Sequence, residues 1–581
     1  GLTEPTAGSD AASIKAEGEV FRDVDGELKI KLNFRKRYIT LAPVANLATI
    51  ACKLDDPQNL LGKGVDVGIT CVLIHKGTPG FSSGDHHQPI GDAFDNGPLY
   101  GKDVIVPAAN IIGGPERAGQ GWKMLMEQLA GGRAVSLPAG AIGGAKLVAA
   151  VTGAYSMVRQ QFGIAIGRME GVEEKVGKIA GLTYLLEASR VFACSALDAG
   201  HEPPVTSAVL KAYTTELGRQ IVTESMDVMA GAGVMQGPNN IIGQGYMSAP
   251  VGVTVEGANI LTRTLMIFGQ GATRCHPYAL KVVNGAEQND VAMFRNNLLA
   301  WLAQFVVGTG RSFVRTLTRG WTVSVPDVAP ETRVYYRRLG WAAARYGLMT
   351  NLAMFAIGGK LKVRGKLTGR YADALAWQLL GFSALRRFEA EGRKPEDLAL
   401  VHYALNYSLA QIQEAFAGIY ANFDGAIGSV LRFFGTLGLR INPIGVAPTD
   451  AMSHAAALTI QSHNAQFLRL ADNIFLPREG MPGAGRLLRA FRLVTEAQPI
   501  LAKIHTAQKD RRLPRGPAEE LAAEAAYKGV ITREEANQVS AALAARLDAI
   551  EVDVFKPEQY YQQSTGKSGM YFGAAADKIA A

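Results

Sequence analysis

Apolar residues change their spacing once along this chain, near residue 115, and that change restricts the folds open to it. From residue 11 to about 113 they alternate over short runs. The stretch Glu19-Val-Phe-Arg-Asp-Val-Asp-Gly-Glu-Leu-Lys-Ile-Lys-Leu32 sets a hairpin-like Asp25-Gly26 between two alternating segments. Further strands are expected over residues 47–54 and 67–74, with turn-forming clusters such as Lys76-Gly-Thr-Pro-Gly80 between them. No helix-length periodic run intervenes, so the strand–helix alternation of a dinucleotide-binding fold is absent and an antiparallel β-barrel or sandwich is predicted.

Beyond residue 119 the apolar residues recur at helical spacing, as in Trp122, Leu125, Met126 and Leu129, then Ile179, Leu182, Leu185 and Leu186. The stretch after Asp290 is helical again, rich in Ala, Leu and Arg, and interrupted by Pro326, Pro330, Pro395, Pro443, Pro448 and Pro477. At 581 residues the chain exceeds what one core organises, given about 150 residues per domain. The expected class is α+β: an antiparallel β-barrel or sandwich domain over residues 1–115, a helix-bundle domain over 116–288, and a further mostly helical C-terminal domain over 289–581.

Composition removes several functions. The balance of 60 basic to 52 acidic residues, a net +8, is mild and is not gathered into a basic arm, so nucleic acid is not implied. The excess suits anionic small molecules or an acidic membrane surface, and equally plain solubility. Cys52, Cys71, Cys194 and Cys275 are far apart in apolar contexts without metal-ligand spacing, which reads as reduced thiols of a cytoplasmic protein. No uninterrupted apolar run reaches the roughly 18 residues of a spanning helix. HExxH and P-loop motifs are missing, and His86-His87 in a Gly/Asp-rich loop reads as a solvated pair.

Two segments carry a more specific signal: the opening Gly1-Leu-Thr-Glu-Pro-Thr-Ala-Gly-Ser-Asp10 and the later Val253-Thr-Val-Glu-Gly-Ala-Asn-Ile-Leu-Thr-Arg263. By itself a Glu-Gly pair reads as a helix-terminal surface Glu. Together the two segments resemble the acyl-CoA dehydrogenase family, in which a Thr-Glu-Pro-x-x-Gly-Ser-Asp segment cradles FAD and a Glu-Gly supplies the base that removes the α-proton of an acyl-CoA thioester. The resemblance implies that Glu256 is that base and that Thr3, Gly8 and Ser9 bind FAD, with Ser9, Arg133, Glu256 and Gly257 on the substrate side. A helical domain precedes the first motif in the family, so the chain is expected to be part of a longer protein.

Lys36-Arg-Tyr-Ile-Thr40 is similar to the family's Lys-x-Trp-Ile-Thr, which implies Tyr38 against the isoalloxazine ring and Thr40 at flavin N5, the hydride acceptor. Val158-Arg-Gln-Gln-Phe-Gly163 resembles Glu-Arg-x-x-Phe-Gly, placing Arg159 and Phe162 at the FAD of a neighbouring subunit. Asp227-Val-Met-Ala-Gly-Ala-Gly233 resembles Gln-x-x-Gly-Gly-x-Gly: Gly231 and Gly233 match, whereas Asp227 and Ala230 depart, as do Glu170 and Ile260 elsewhere.

The second half, with Lys366-Leu-Thr-Gly-Arg370 and Ile550-Glu-Val-Asp-Val-Phe555, looks like the extra C-terminal domain of the large bacterial enzymes of fatty-acid β-oxidation. The resemblance implies a homodimer that oxidises medium- to long-chain acyl-CoA to trans-2-enoyl-CoA and passes electrons to an electron-transfer flavoprotein. An acyl-CoA oxidase using O2 and a non-catalytic assembly or binding protein are the alternatives. Residues 426–446 carry many apolar side chains and only Arg432 and Arg440 as charges. Two roles fit this stretch: packing inside the C-terminal half, or a peripheral contact at the inner face of the cell membrane.

Overall fold

The computed structural model describes residues 1–91, 94–201 and 204–564. Alternation sets the first architecture, a six-stranded sheet of β1 (Glu17–Arg22), β2 (Leu28–Thr40), β3 (Leu47–Asp55), β4 (Asp66–His75), β5 (Phe81–Ser83) and β6 (Asn96–Pro107), in the order β4-β3-β1-β2-β6-β5. The hairpin forms as the sequence predicts, with Glu17 opposite Asn33 and Arg22 opposite Leu28, while Lys29 bridges Asp23 and Asp25 across the turn. Pairing is antiparallel except between β1 and β3, which run parallel, Glu17 opposite Lys53. Every second residue of β2, from Ile30 through Leu32 and Phe34, enters one core with Val20, Ile50, Val72 and Val104.

The same alternation carries Lys36 inside, where its side chain is wholly buried. Its Nζ donates to the Glu4 carboxylate at 2.7 Å, to Leu2 O at 3.1 Å and to Ala51 O at 2.8 Å, one acceptor for each ammonium hydrogen. Glu4 in turn accepts from the backbone N–H groups of Lys15 and Ala16. Burial pushes the Glu4 carboxyl up, but the bonds from Lys36, Lys15 and Ala16 outweigh it and leave it below its ordinary value. This buried pair fixes the opening segment to the sheet.

The longer helices, in chain order, are α1 (Gly121–Ala134), α2 (Ser136–Val158), α3 (Glu170–Asp198), α4 (Pro204–Met229), α5 (Gly243–Thr254), α6 (Val291–Leu317), α7 (Arg333–Ala356), α8 (Gly365–Ala390), α9 (Leu398–Asn422), α10 (Ala484–Lys509) and α11 (Arg533–Ala549). A β-carbon at Gly121 would stand 2.7 Å from Ile69 O, so only glycine lets α1 start directly on β4. The helical stretch Gly121–Val158 has the length and hydropathy of a membrane span. Half of its most apolar window is buried, as in a core helix, and it includes the buried Lys146, whose Nζ donates to Asp472 O.

Compactness groups the chain differently from segments 1–115, 116–288 and 289–581. One unit holds Gly1–Gly144, Gly181–Gln220 and Met247–Thr449; the other holds Ala145–Ala180, Ile221–Tyr246 and the described residues from Asp450 on. In the first unit Arg263 and Tyr213 both bond the Asp373 carboxylate at 2.6 Å, and Thr368 donates to Thr264 O at 2.5 Å, so α8 is tied to the segment that follows Glu256. In the second, His454 meets Glu173 at 2.7 Å, Gln461 donates to Gly167 O, and α10 and α11 share a core of Val494, Ile504 and Val539. The second half of the chain therefore contributes to both units.

Replacing Glu4 by Gln leaves Lys36 as an uncompensated buried cation, so Glu4→Gln should cost about 3–5 kcal/mol. Urea denaturation at neutral pH measures it; a loss below about 1 kcal/mol, the value of an exposed pair, contradicts this role.

Candidate active site

The helix α5 ends in a sharp reversal at Glu256 and Gly257, both in the left-handed region with φ of 55° and 102°. Glycine adopts this backbone freely. A glutamate there is strained by about 1–3 kcal/mol and persists only where its surroundings hold it. Arg133 Nε donates to Glu256 O at 2.7 Å. From the other side the fully buried Lys211 of α4 donates to Val253 O at 3.1 Å, Gly257 O at 2.7 Å and Asn259 Oδ1 at 2.8 Å. Asn259 is itself fixed by bonds from its Nδ2 to Ala212 O and Thr215 Oγ1, both 3.0 Å, and Thr262 Oγ1 closes on Gly257 O at 3.2 Å.

The Glu256 carboxyl so positioned has a buried Oε2 with no hydrogen-bond partner. A β-carbon at Gly132 would stand 3.6 Å from Oε1, so α1 presents bare backbone beside the carboxyl. Burial raises its pKa, and the nearby charges of Arg133 and Lys211 oppose the rise without cancelling it. Burial likewise pulls Lys211 down to about 8, although Glu256 works against this. An under-solvated carboxyl of raised pKa, aimed by a strained turn, is equipped to accept a proton from a molecule placed against it. The structure thus brings Arg133, Glu256 and Gly257 together as the sequence implies. Lys211, Asn259 and Thr262 complete the group.

A second cluster lies on the sheet. Thr3 O accepts from Arg37 N at 3.1 Å, which joins the opening segment to Lys36–Thr40. The β2–β6 register shifts between Lys36 and Ile39, and there Tyr38 adopts φ 60° and is 58% exposed. The guanidinium of Arg37 lies 4.7 Å from the Tyr38 ring centre and the His87 ring 5.3 Å away. Arg37 Nε and His87 Nε2 are buried without partners. Two orphaned nitrogens beside an exposed aromatic ring provide binding capacity for a polar, planar ligand. Thr40, Gly8 and Ser9 are exposed, and the space at Gly8 is open. The solvated histidine pair expected from the sequence is corrected for His87, whose imidazole packs on Tyr38; His86 is exposed and pairs with Asp95 at 2.9 Å.

Arg159, Phe162, Gly231 and Gly233 belong to the second unit. After α2, the strands β7 (Gln160–Gln161) and β8 (Ile164–Ala165) form a tight hairpin whose tip, Phe162-Gly163, has both φ angles positive, so Phe162 projects at 95% exposure. Tyr155, one turn before Arg159, lines a small cavity with Met229 and Ala232, next to the turn at residues 230–233. Gly231 is exposed and Gly233 buried. Ala230 takes φ 47° and ψ −122°, a conformation that favours the glycine of the family pattern. Asp227 is exposed and pairs with Lys175 at 3.3 Å, Glu170 opens α3, and Ile260 is exposed.

Comparison with known proteins covers nearly the whole chain in three consecutive matches. Residues 1–104 match the acyl-CoA dehydrogenase middle domain, residues 119–267 the acyl-CoA dehydrogenase C-terminal domain, and residues 273–555 the bacterial-type acyl-CoA dehydrogenase C-terminal region. Over 104 residues the chain is 50% identical to protein HemX of Proteus mirabilis, covering 18% of this chain and 61% of that protein. It is 32% identical over 236 residues to acryloyl-CoA reductase (NADH) of Anaerotignum propionicum, covering 40% and 57%. The chain thus spans about 60% of the length of these two curated relatives. An acyl-CoA dehydrogenase of Bacillus anthracis, solved in complex with FAD, shares the fold at a TM-score of 0.61 and 19% identity, over 79% of this chain and 74% of that one. With its middle domain, its Glu-Gly helical domain and its bacterial-type C-terminal region matched in order, the chain belongs to the acyl-CoA dehydrogenase family.

Proposed function

We propose that this chain catalyses α,β-dehydrogenation of an acyl-CoA thioester, with Glu256 as the base. The observation that carries the reading is the half-buried Glu256 carboxyl at a left-handed turn, its buried Oε2 without a hydrogen-bond partner and its pKa raised by burial. Glu256 takes the α-proton while the β-hydride leaves to the acceptor, and the product is the trans-2-enoyl-CoA. FAD, when bound, supplies the hydride acceptor. Burial makes the Glu256 anion more basic than a solvated carboxylate, and the charges of Arg133 and Lys211 temper that rise. Gly257, in the same turn, leaves room for the thioester.

The residues suited to FAD are Thr3, Gly8, Ser9, Tyr38 and Thr40 on the sheet, with the free nitrogens of Arg37 and His87 beside them. Arg159, Phe162, Gly231 and Gly233 fit the cofactor of a partner subunit, a reading supported by the projecting Phe162, which meets no ring of its own unit among the described residues. We extend the reading to a medium- to long-chain acyl group and to an electron-transfer flavoprotein as electron acceptor, on the resemblance of the second half to the large bacterial enzymes of fatty-acid β-oxidation. The domain division at residues 115 and 288 is retained as a proposal about sequence modules.

Glu256→Gln should give folded, flavin-binding protein at least ~100-fold slower in turnover, the usual scale for a lost general base. Flavin bleaching by acyl-CoA at the wild-type rate would remove Glu256 from this role.

Because the base must be ionised, kcat/KM should rise with pH through a value above the ordinary carboxylate range. Lys211→Met removes a cation that favours the Glu256 anion, so this limb should move to higher pH. A limb left in place assigns Lys211 to folding alone.

The shared cofactor site makes the flavin-loaded protein at least a dimer. Light scattering checks it, and a flavin-replete monomer refutes it.

A further inference from the structure

The helix α6 (Val291–Leu317) buries only Trp301 and Ser312, although it is 27 residues long. Five of its exposed apolar side chains, Leu299, Leu302, Val306, Phe313 and Leu317, share one face at spacings of three, four, seven and four, and the exposed Val307 and Val314 flank it. Val306 is 69% exposed and Leu317 68%. Globular helices turn such a stripe toward a core; here α7 packs against α6 on the other side, where Trp301 Nε1 donates to Asn351 Oδ1 at 2.6 Å.

Residues 425–441 continue this surface. They form a short helix, Gly425–Val430, a π-helical turn, Leu431–Gly435, and a second helix, Thr436–Ile441, with Phe433, Phe434 and Ile441 exposed. Within residues 426–446, Leu439 and Ile444 pack internally, whereas Phe433, Phe434 and Ile441 face outward. Asn442, directly after the second helix, donates from Nδ2 to Thr316 O at 2.7 Å, which places its end against the last turn of α6.

The charges select the occupant. Residues 291–326 contain Arg295, Arg311, Arg315 and Arg319, and residues 425–449 contain Arg432 and Arg440, with no Asp, Glu or Lys in either stretch. Arg315 is engaged by Gly340 O, while Arg295, Arg311 and Arg319 are exposed, as are Arg432 and Arg440. Asp290 and Asp327 bound the first stretch and Asp424 and Asp450 the second; Asp290 accepts from Met293 N at the start of α6, and Asp424 is paired with Arg364. A second copy docking on this face about a two-fold axis would set arginines against arginines in an apolar contact, at a Coulombic cost. An anionic bilayer accepts the apolar side chains and neutralises the arginines at its headgroups.

We propose that α6 and residues 425–441 form one membrane-docking surface that seats the protein on anionic lipid. This role is independent of the reaction assigned above.

Flotation of the full chain with phosphatidylcholine vesicles, with and without phosphatidylglycerol, tests it. Wild type should float with the anionic vesicles and be released by salt. Val306→Asp/Phe313→Asp should weaken binding at least about tenfold, and Arg311→Gln/Arg319→Gln should do so on anionic vesicles alone, by about one order of magnitude. The arginine variant alters only exposed side chains and so stays informative if the aspartate variant misfolds. Wild type remaining with the soluble fraction on anionic vesicles overturns the proposal. So does light scattering in which Val306→Asp/Phe313→Asp splits a dimer, which would assign the surface to a second copy.

Discussion

Two buried lysines fix both halves of the candidate site, and each does so by exhausting its three donors. Lys211 gathers Val253 O, Gly257 O and Asn259 Oδ1; Lys36 gathers Leu2 O, Ala51 O and the Glu4 carboxylate. An ammonium inside a protein is tolerated only when its hydrogens are satisfied, and that demand pins three points of the chain at once. The pair differs in compensation. Lys36 touches a carboxylate, whereas Lys211 touches only neutral acceptors, with Glu256 acting on it through space, and its pKa falls to about 8. The turn that aims Glu256 thus depends on a cation whose charge is itself only partly supported.

The segment after Glu256 is held as firmly as the turn. Arg263, Tyr213 and Asp373 form a three-way cluster, and Phe268 stacks on Tyr371 at 4.4 Å. Asp373 and Tyr371 both come from α8, just over a hundred residues beyond the matched Glu-Gly domain. Geometry at the candidate base is therefore set partly by the region that distinguishes the bacterial type.

Period-two alternation made the strands and the hairpin legible, and the same rule reaches Lys36: position 36 continues the series Ile30, Leu32, Phe34, so a lysine there had to be enclosed. Lys211 left a similar trace in Val209-Leu-Lys-Ala212, a charge in an apolar helical run. The parallel β1–β3 pair was not legible, because alternation says which face a residue takes and nothing about which strand lies beside it. His87 was misread for a related reason: a Gly/Asp-rich loop predicts solvent, and only the bulge at Tyr38 brings a ring to cover it. The left-handed backbone of Glu256 has no local signature; the contacts that stabilise it come from α1 and α4, far away in sequence.

The interleaving of the two compact units bears on how this chain can be dissected. A cut near residue 270, where the sequence matches change from one domain type to the next, falls at no structural seam: it strips α6, α7, α8 and α9 from the unit that holds the sheet and α10 and α11 from the other. The sheet core lies wholly in the first fragment and the α10–α11 core wholly in the second, but the cut parts Arg263 and Tyr213 from Asp373 and Phe268 from Tyr371. Insertions and deletions are accordingly expected to survive in surface loops, away from the ties between α8 and the segment after Glu256.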